Sequence, residues 1–170
     1  VPRLKPAANM LSAIGLTIPS FALLGLLLPL FGIGPVSPFV AVTFYATLPI
    51  LRNAVVGLAG VSPTLLESAK GMGMGATTRF LRVQLPMAWP VIMAGLRVSA
   101  QMSMGVAAIA AYTLGPGLGG YIFTGLAQLG GANALNYALV GTLGVVVLAL
   151  LLDAALLLVS RLTTSKGIRA

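Results

Sequence analysis

Residues 62–86 read Ser62-Pro-Thr-Leu-Leu-Glu-Ser-Ala-Lys-Gly-Met-Gly-Met-Gly-Ala-Thr-Thr-Arg-Phe-Leu-Arg-Val-Gln-Leu-Pro86, and the rest of the chain is read outward from them. The interval carries Glu67, Lys70, Arg79 and Arg82 between stretches that hold almost no charge. Ser62 followed by Pro63 is a good N-cap and first helical position, and Thr64 with Glu67 offers an alternative capping box. The spacing predicts a short helix that stops at Gly71–Gly75, where glycines permit positive φ. A second short helix then starts near Thr77 or Thr78 and runs toward Pro86. Met72, Met74, Phe80 and Leu81 are hard to bury in such a hairpin, so they either dock a partner or pack on the ends of neighbouring helices.

On both sides the sequence is apolar. Of 170 residues, 58% are hydrophobic before the 21 glycines are counted and 7% are charged, with a mean hydropathy of +1.05. A water-soluble domain of this length needs far more charge to cover its surface, so a soluble globular protein is excluded. Four stretches, about 10–31, 39–60, 87–114 and 137–160, are long and apolar enough for helices that cross a bilayer core, which takes about 20 residues. The first is too long for a secretory signal, contains Pro19 and Pro29, and is followed at once by another apolar stretch. The expected fold is therefore an all-α integral membrane protein forming one domain over residues 1–170, with residues 61–86 as its principal loop. Because Val1 is not an initiator methionine and a short basic stretch leads straight into the first span, an upstream portion is expected.

The basic residues order the topology. Arg3 and Lys5 precede the first stretch, Lys70, Arg79 and Arg82 lie between the second and third with Arg52 near the end of the second, and Arg161, Lys166 and Arg169 follow the fourth. Gly32–Pro38 and Gly115–Asn136 contain no Lys or Arg. By the positive-inside rule both ends and the 61–86 loop are expected in the cytoplasm. Arg97 lies inside the third stretch, where a lipid-facing charge costs at least about 2.5 kcal/mol. It is expected to snorkel, to bond backbone carbonyls, or to face a substrate path. Asp153 is expected near the inner interface or paired with a cation inside the bundle.

Several chemistries are excluded by composition. There are no cysteines and no histidines, which removes thiolate and imidazole metal sites and Ser/His or Cys/His catalysis. Glu67 and Asp153 are the only acids and lie on different segments, so paired-carboxylate catalysis finds no support. No catalytic residue is expected, and no metal. The net charge of +8 is spread among apolar spans rather than gathered on one face, so no nucleic-acid partner is expected. No Gly-x-x-x-x-Gly-Lys-Ser/Thr loop is present to cradle ATP phosphates.

The loop resembles the EAA motif of permease subunits of bacterial ABC importers: Glu-Ala-Ala, three residues, Gly, nine residues, Ile-x-Leu-Pro. The matching positions are Glu67, Ser68, Ala69, Gly73, Val83, Gln84, Leu85 and Pro86, with Ser68 for Ala and Val83 for Ile. Thr17-Ile-Pro-Ser20, Leu48-Pro-Ile-Leu-Arg-Asn53, Leu66-Glu-Ser-Ala-Lys-Gly-Met-Gly-Met74 and Gly117-Leu-Gly-Gly-Tyr-Ile-Phe123 look like the osmoprotectant branch, which imports glycine betaine, choline, carnitine and related quaternary amines. Relatives usually have one more span upstream, so the resemblance implies that the expected upstream portion holds a span, and Pro116 stands where relatives often have a small residue.

This resemblance implies a type I ABC importer (MetI-like) transmembrane helical bundle in a bacterial or archaeal plasma membrane. It implies that Glu67, Ser68, Ala69, Gly73, Val83, Leu85 and Pro86 form the coupling segment. The first loop helix would insert into a groove on a separate ATPase subunit, Ala69 and Gly73 would allow close approach, and Leu85 and Pro86 would set the exit into the third span. ATP and Mg would be held by that ATPase and no cofactor by this chain. The other implied partners are an extracytoplasmic substrate-binding protein and a second permease, identical or homologous. Pro19, Tyr45, Arg97 and Tyr112 are the candidates for the substrate path: prolines free backbone carbonyls, and aromatic faces suit a quaternary ammonium. Tyr121 and Phe123 offer π-faces as well, though each ring taken alone reads first as an interface-belt residue. The alternatives are an ABC permease for another small solute such as an amino acid, or an ATP-independent secondary transporter; the latter treats the motif loop as coincidence.

Overall fold

Pro19 divides the first apolar stretch. In a computed structural model, which describes residues 4–114 and 117–164, helix α1 (Leu4–Thr17) and helix α2 (Ser20–Phe31) meet at an angle of 88°. The one continuous helix expected over 10–31 is thus a broken pair. Proline has no N–H to continue the α1 ladder and pushes the residue before it out of the helical region. Pro19 itself is extended at ψ 132°, and the new ladder opens with the Leu23 N–H donating to the Pro19 carbonyl at 3.0 Å.

The remaining apolar stretches each coincide with one long helix. Helix α3 covers Val36–Ala59, α6 covers Leu85–Leu114, and α8 covers Ala134–Thr163. The loop between α3 and α6 holds α4 (Pro63–Gly71) and α5 (Ala76–Arg79), and α7 (Leu118–Ala127) lies between α6 and α8. Among the described residues three helices are long and apolar enough to cross a membrane, or four if the bent α1–α2 pair is one span. Helix α7, at about 15 Å, is too short to cross. It lies in the interval expected to be a connection between the third and fourth spans, because ten uncharged residues rich in glycine give no span signal.

The core lies where α2, α3 and α6 converge. Leu24, Leu27, Ala41, Tyr45, Leu48, Val106 and Ala110 form its buried cluster. Small residues let the helix backbones approach: a Cβ on Gly95 of α6 would lie 2.5 Å from the Asn53 Cβ of α3, and one on Gly141 of α8 would lie 2.6 Å from the Leu118 carbonyl oxygen of α7. Hydroxyls add polar ties. Ser12 of α1 donates to the Leu48 carbonyl at 3.2 Å, and Ser99 of α6 donates to the Ala46 carbonyl at 2.6 Å. In a bilayer such interhelical bonds average about 0.6 kcal/mol each, so they fix register more than they drive assembly. Helix α8 buries only Ala134 and Gly141 within the chain and turns leucines and valines outward along most of its length.

Candidate functional site

Helix α4 starts at Pro63, where the missing N–H costs nothing, and the Leu66 N–H donates to the Ser62 carbonyl at 3.2 Å. No side-chain cap forms at Ser62, and the Thr64–Glu67 capping box is not used; Ser68 Oγ instead donates to the Thr64 carbonyl at 2.9 Å. The helix ends in a Schellman turn. The Met74 N–H donates to the Ala69 carbonyl at 3.2 Å and the Gly73 N–H to the Lys70 carbonyl at 3.0 Å, with Gly73 left-handed at φ +80°. Of the three glycines expected in the elbow, Gly73 is the one that requires its residue type: Gly71 and Gly75 have no positive φ.

The faces of α4 are unequal. Glu67, Ser68 and Lys70 are exposed, as is Met72 with 70% of its surface free, whereas Ala69 is buried at 1%. Ala69 therefore holds α4 against its own chain rather than lying on the open surface. Beyond the elbow, the expected separate second helix does not form. Helix α5 runs into a π-helical turn, Phe80–Gln84, and then into α6 without a break, giving one helical run Ala76–Thr113. The Leu85 N–H reaches back five residues to the Phe80 carbonyl. The wide turn comes immediately before Pro86, whose ring would otherwise clash with the preceding turn. Val83, Leu85 and Pro86 are half-buried where this run passes from the loop into α6. Gln84 Nε2 donates to the Leu58 carbonyl at 3.2 Å, tying the loop to the end of α3. Trp89 Nε1 donates to Thr163 Oγ1 at 2.8 Å, tying it to the end of α8.

The four residues expected along a substrate path are not brought together. Pro19 is exposed at the α1–α2 break. Tyr45 is buried at 3%, and its hydroxyl donates to the Ile18 carbonyl, which the break leaves outside either helix ladder. Arg97 makes a two-pronged ion pair with Asp153 of α8, Nε to Oδ1 at 2.8 Å and Nη2 to Oδ2 at 2.7 Å. That arrangement fits the pairing expected for Asp153 and places Arg97 on a carboxylate rather than on backbone carbonyls. Tyr112 alone is open, with 61% of its surface free and its ring centroid 5.0 Å from Phe123 and 5.6 Å from Phe21. Phe21 was not singled out in the sequence; nothing local marks it, because it meets Tyr112 only through the bend at Pro19.

These features define a class: an integral membrane subunit of helices, with a short exposed helix on the loop between two spans and one long helix leading from that loop into the bundle. Residues 1–165 match the family of binding-protein-dependent transport system inner membrane components, and the chain belongs to that family. It is 42% identical over 153 residues to the glycine betaine/carnitine/choline transport system permease protein OpuCB of Bacillus subtilis (strain 168), covering 90% of this chain and 69% of that one. It is equally identical, with the same coverage, to the choline transport system permease protein OpuBB of Bacillus subtilis (strain 168). With the osmoprotectant import permease protein OsmW of Salmonella typhimurium (strain LT2) it shares 40% identity over 159 residues, 91% of this chain and 72% of that one. The chain is thus a permease subunit of MetI-like fold and a non-catalytic component of transport.

Proposed function

We propose that this chain is the transmembrane subunit of an ATP-driven importer of osmoprotectants, moving glycine betaine, choline, carnitine or related quaternary amines across the plasma membrane. The carrying observation is the high identity, over nine-tenths of the chain, to permeases named for those solutes. Both ends and the 61–86 loop lie in the cytoplasm, a reading supported by the placement of the basic residues. ATP and Mg are bound and ATP is hydrolysed by a partner ATPase, an extracytoplasmic binding protein delivers the solute, and a second permease completes the path.

In this reading α4 is the coupling helix. Glu67 and Ser68 meet the ATPase groove, with Glu67 available for a charge-assisted contact. Ala69 seats the helix on its own chain, and Gly73 gives the turn that presents it. Val83, Leu85 and Pro86 belong to the transmitting helix. Because Ala76–Thr113 is one run of about 57 Å, a push on α4 and its elbow reaches α6 as movement of a rod rather than through a hinge. Closure of two ATPase subunits then shifts the bundle between inward-facing and outward-facing states.

The test is uptake into proteoliposomes holding the complete importer with ATP on the ATPase side, offered glycine betaine, choline, carnitine and an amino-acid control. ATP-dependent uptake of a quaternary amine is expected. ATP-dependent uptake of the amino acid alone would replace the solute and keep the importer, and uptake indifferent to ATP would overturn the mechanism.

A further inference from the structure

A cavity of about 450 Å³ opens between α6 and α7, lined by the rings of Tyr112, Tyr121 and Phe123 together with Gly117, Gly120 and Thr124. Tyr112 comes from α6, and Tyr121 and Phe123 come from α7. Phe123 is tilted 57° to Tyr112, and Phe21 of α2 stands behind Tyr112 at a tilt of 52°. Tyr112 and Tyr121 keep 61% and 45% of their surfaces free; Tyr121 stacks one face on Tyr137 of α8, with centroids 6.1 Å apart, and lines the cavity beside it. Gly117 leaves open space where a Cβ would stand, so the cavity is not filled from that side.

Among the described residues none lining this cavity carries a charge, and the polar side-chain groups there are three hydroxyls, of which that of Thr124 already donates to the Gly120 carbonyl at 2.9 Å. That combination selects among cations. An alkali ion or a primary ammonium needs oxygen ligands to replace its water, whereas a quaternary ammonium is weakly hydrated, donates no hydrogen bond and is stabilised by aromatic faces within about 6 Å. Adjacent centroids 5.0 Å apart allow one such head to lie within that distance of both rings. The carboxylate of a zwitterion finds no cationic partner here, so the cavity reads the head that the candidate solutes share and not their tails.

We infer that the Tyr112–Tyr121–Phe123 cavity is a binding site within the permease for the quaternary ammonium head of the transported solute. The inference rests on the osmoprotectant reading above and assigns it a place in this chain.

The test uses the assembled permease–ATPase complex in lipid nanodiscs without the binding protein, so that any signal belongs to the membrane part. Aromatic protons are saturated and magnetisation transfer is read on the methyls of tetramethylammonium and, as a neutral molecule of similar size that is soluble in water, tert-butanol. Transfer to tetramethylammonium and not to tert-butanol is expected. It should fall about fivefold in Tyr112→Leu and Phe123→Leu and persist in Tyr112→Phe, which keeps the π-face. Equal transfer to both probes in the unmodified complex would overturn the site without recourse to any variant, and so would equal loss in Tyr112→Phe and Tyr112→Leu. Choline uptake by the complete importer separates the two levels. Uptake without transfer to tetramethylammonium overturns the site and leaves the importer reading standing, whereas failure to move any quaternary amine overturns the reading and the site with it.

Discussion

Arg97 of α6 and Asp153 of α8 meet side by side, Nε on Oδ1 at 2.8 Å and Nη2 on Oδ2 at 2.7 Å, so that the charged residue inside the third span is matched by the one acid of the fourth. The fork geometry of guanidinium on carboxylate fixes orientation as well as charge, which a lysine could not do. Removing one partner leaves the other uncompensated among apolar helices. Removing both leaves no charge to satisfy.

Single neutralisation by Arg97→Gln or Asp153→Asn is therefore expected to lower both the membrane-inserted yield and the Tm of the solubilised complex. The double variant should recover more than half of each loss. A double variant as poor as the worse single one, in thermal unfolding followed by tryptophan fluorescence, would show that the two residues act separately.

Tyr45→Phe tests the bend. The substitution keeps the buried ring and removes only the hydroxyl that satisfies the Ile18 carbonyl at the α1–α2 break. An unsatisfied buried carbonyl costs about 1–3 kcal/mol. Limited proteolysis should find residues 17–20 more readily cleaved in the variant, with its Tm lowered; an unchanged Tm would place the Ile18 carbonyl in contact with water or another donor.

Helix α7 gives a contrast between two glycines on one neighbour. A Cβ on Gly141 would meet the Leu118 backbone oxygen at 2.6 Å, while one on Gly144 would meet the Leu118 side-chain Cδ2 at 2.9 Å. Backbone cannot step aside, but a leucine methyl can rotate. Gly141→Ala is expected to destabilise by about 1–3 kcal/mol through overpacking, and Gly144→Ala by appreciably less. Denaturation midpoints of the two variants in the same detergent decide it, and the reverse ranking would mean that α7 and α8 pack in another register.

The parts legible in the sequence were those set by composition and by local backbone rules. Three apolar stretches coincide with α3, α6 and α8 because length and hydropathy alone demand long helices. The start of α4 at Pro63 and its stop near Gly73 follow from one residue's φ preference each. What was misread turned on prolines. Pro19 breaks a helix and Pro86 does not, since Pro19 is bypassed by a Tyr45 hydroxyl that takes up a stranded carbonyl, while Pro86 is preceded by a π-turn that makes room for its ring. Neither compensation is local to the proline in a way that residue spacing reveals. The same limit hid the contacts of the site residues: Tyr45 is buried with its hydroxyl on the Ile18 carbonyl, and Tyr112 meets Phe21 only from across the bend.

Gly73 separates folding from coupling more sharply than any other position in the loop. It sits at φ +80°, and a Cβ there would meet nothing within 4 Å, so an l-residue is opposed by backbone strain and not by crowding. Gly73→Asn, which tolerates the left-handed region, is expected to keep most ATP-driven uptake. Gly73→Ala strains the turn by about 1–2 kcal/mol and should reduce uptake several-fold. Gly73→Asp adds a negative charge at the C-terminal end of α4, where the helix dipole already disfavours it, and should abolish uptake. All three should insert into the membrane normally, because the turn lies outside the bundle's buried cluster. Measuring uptake per inserted complex tests the series. Normal uptake in Gly73→Asp would show that the turn presents nothing to the ATPase, and loss of insertion across the series would make Gly73 a folding residue instead.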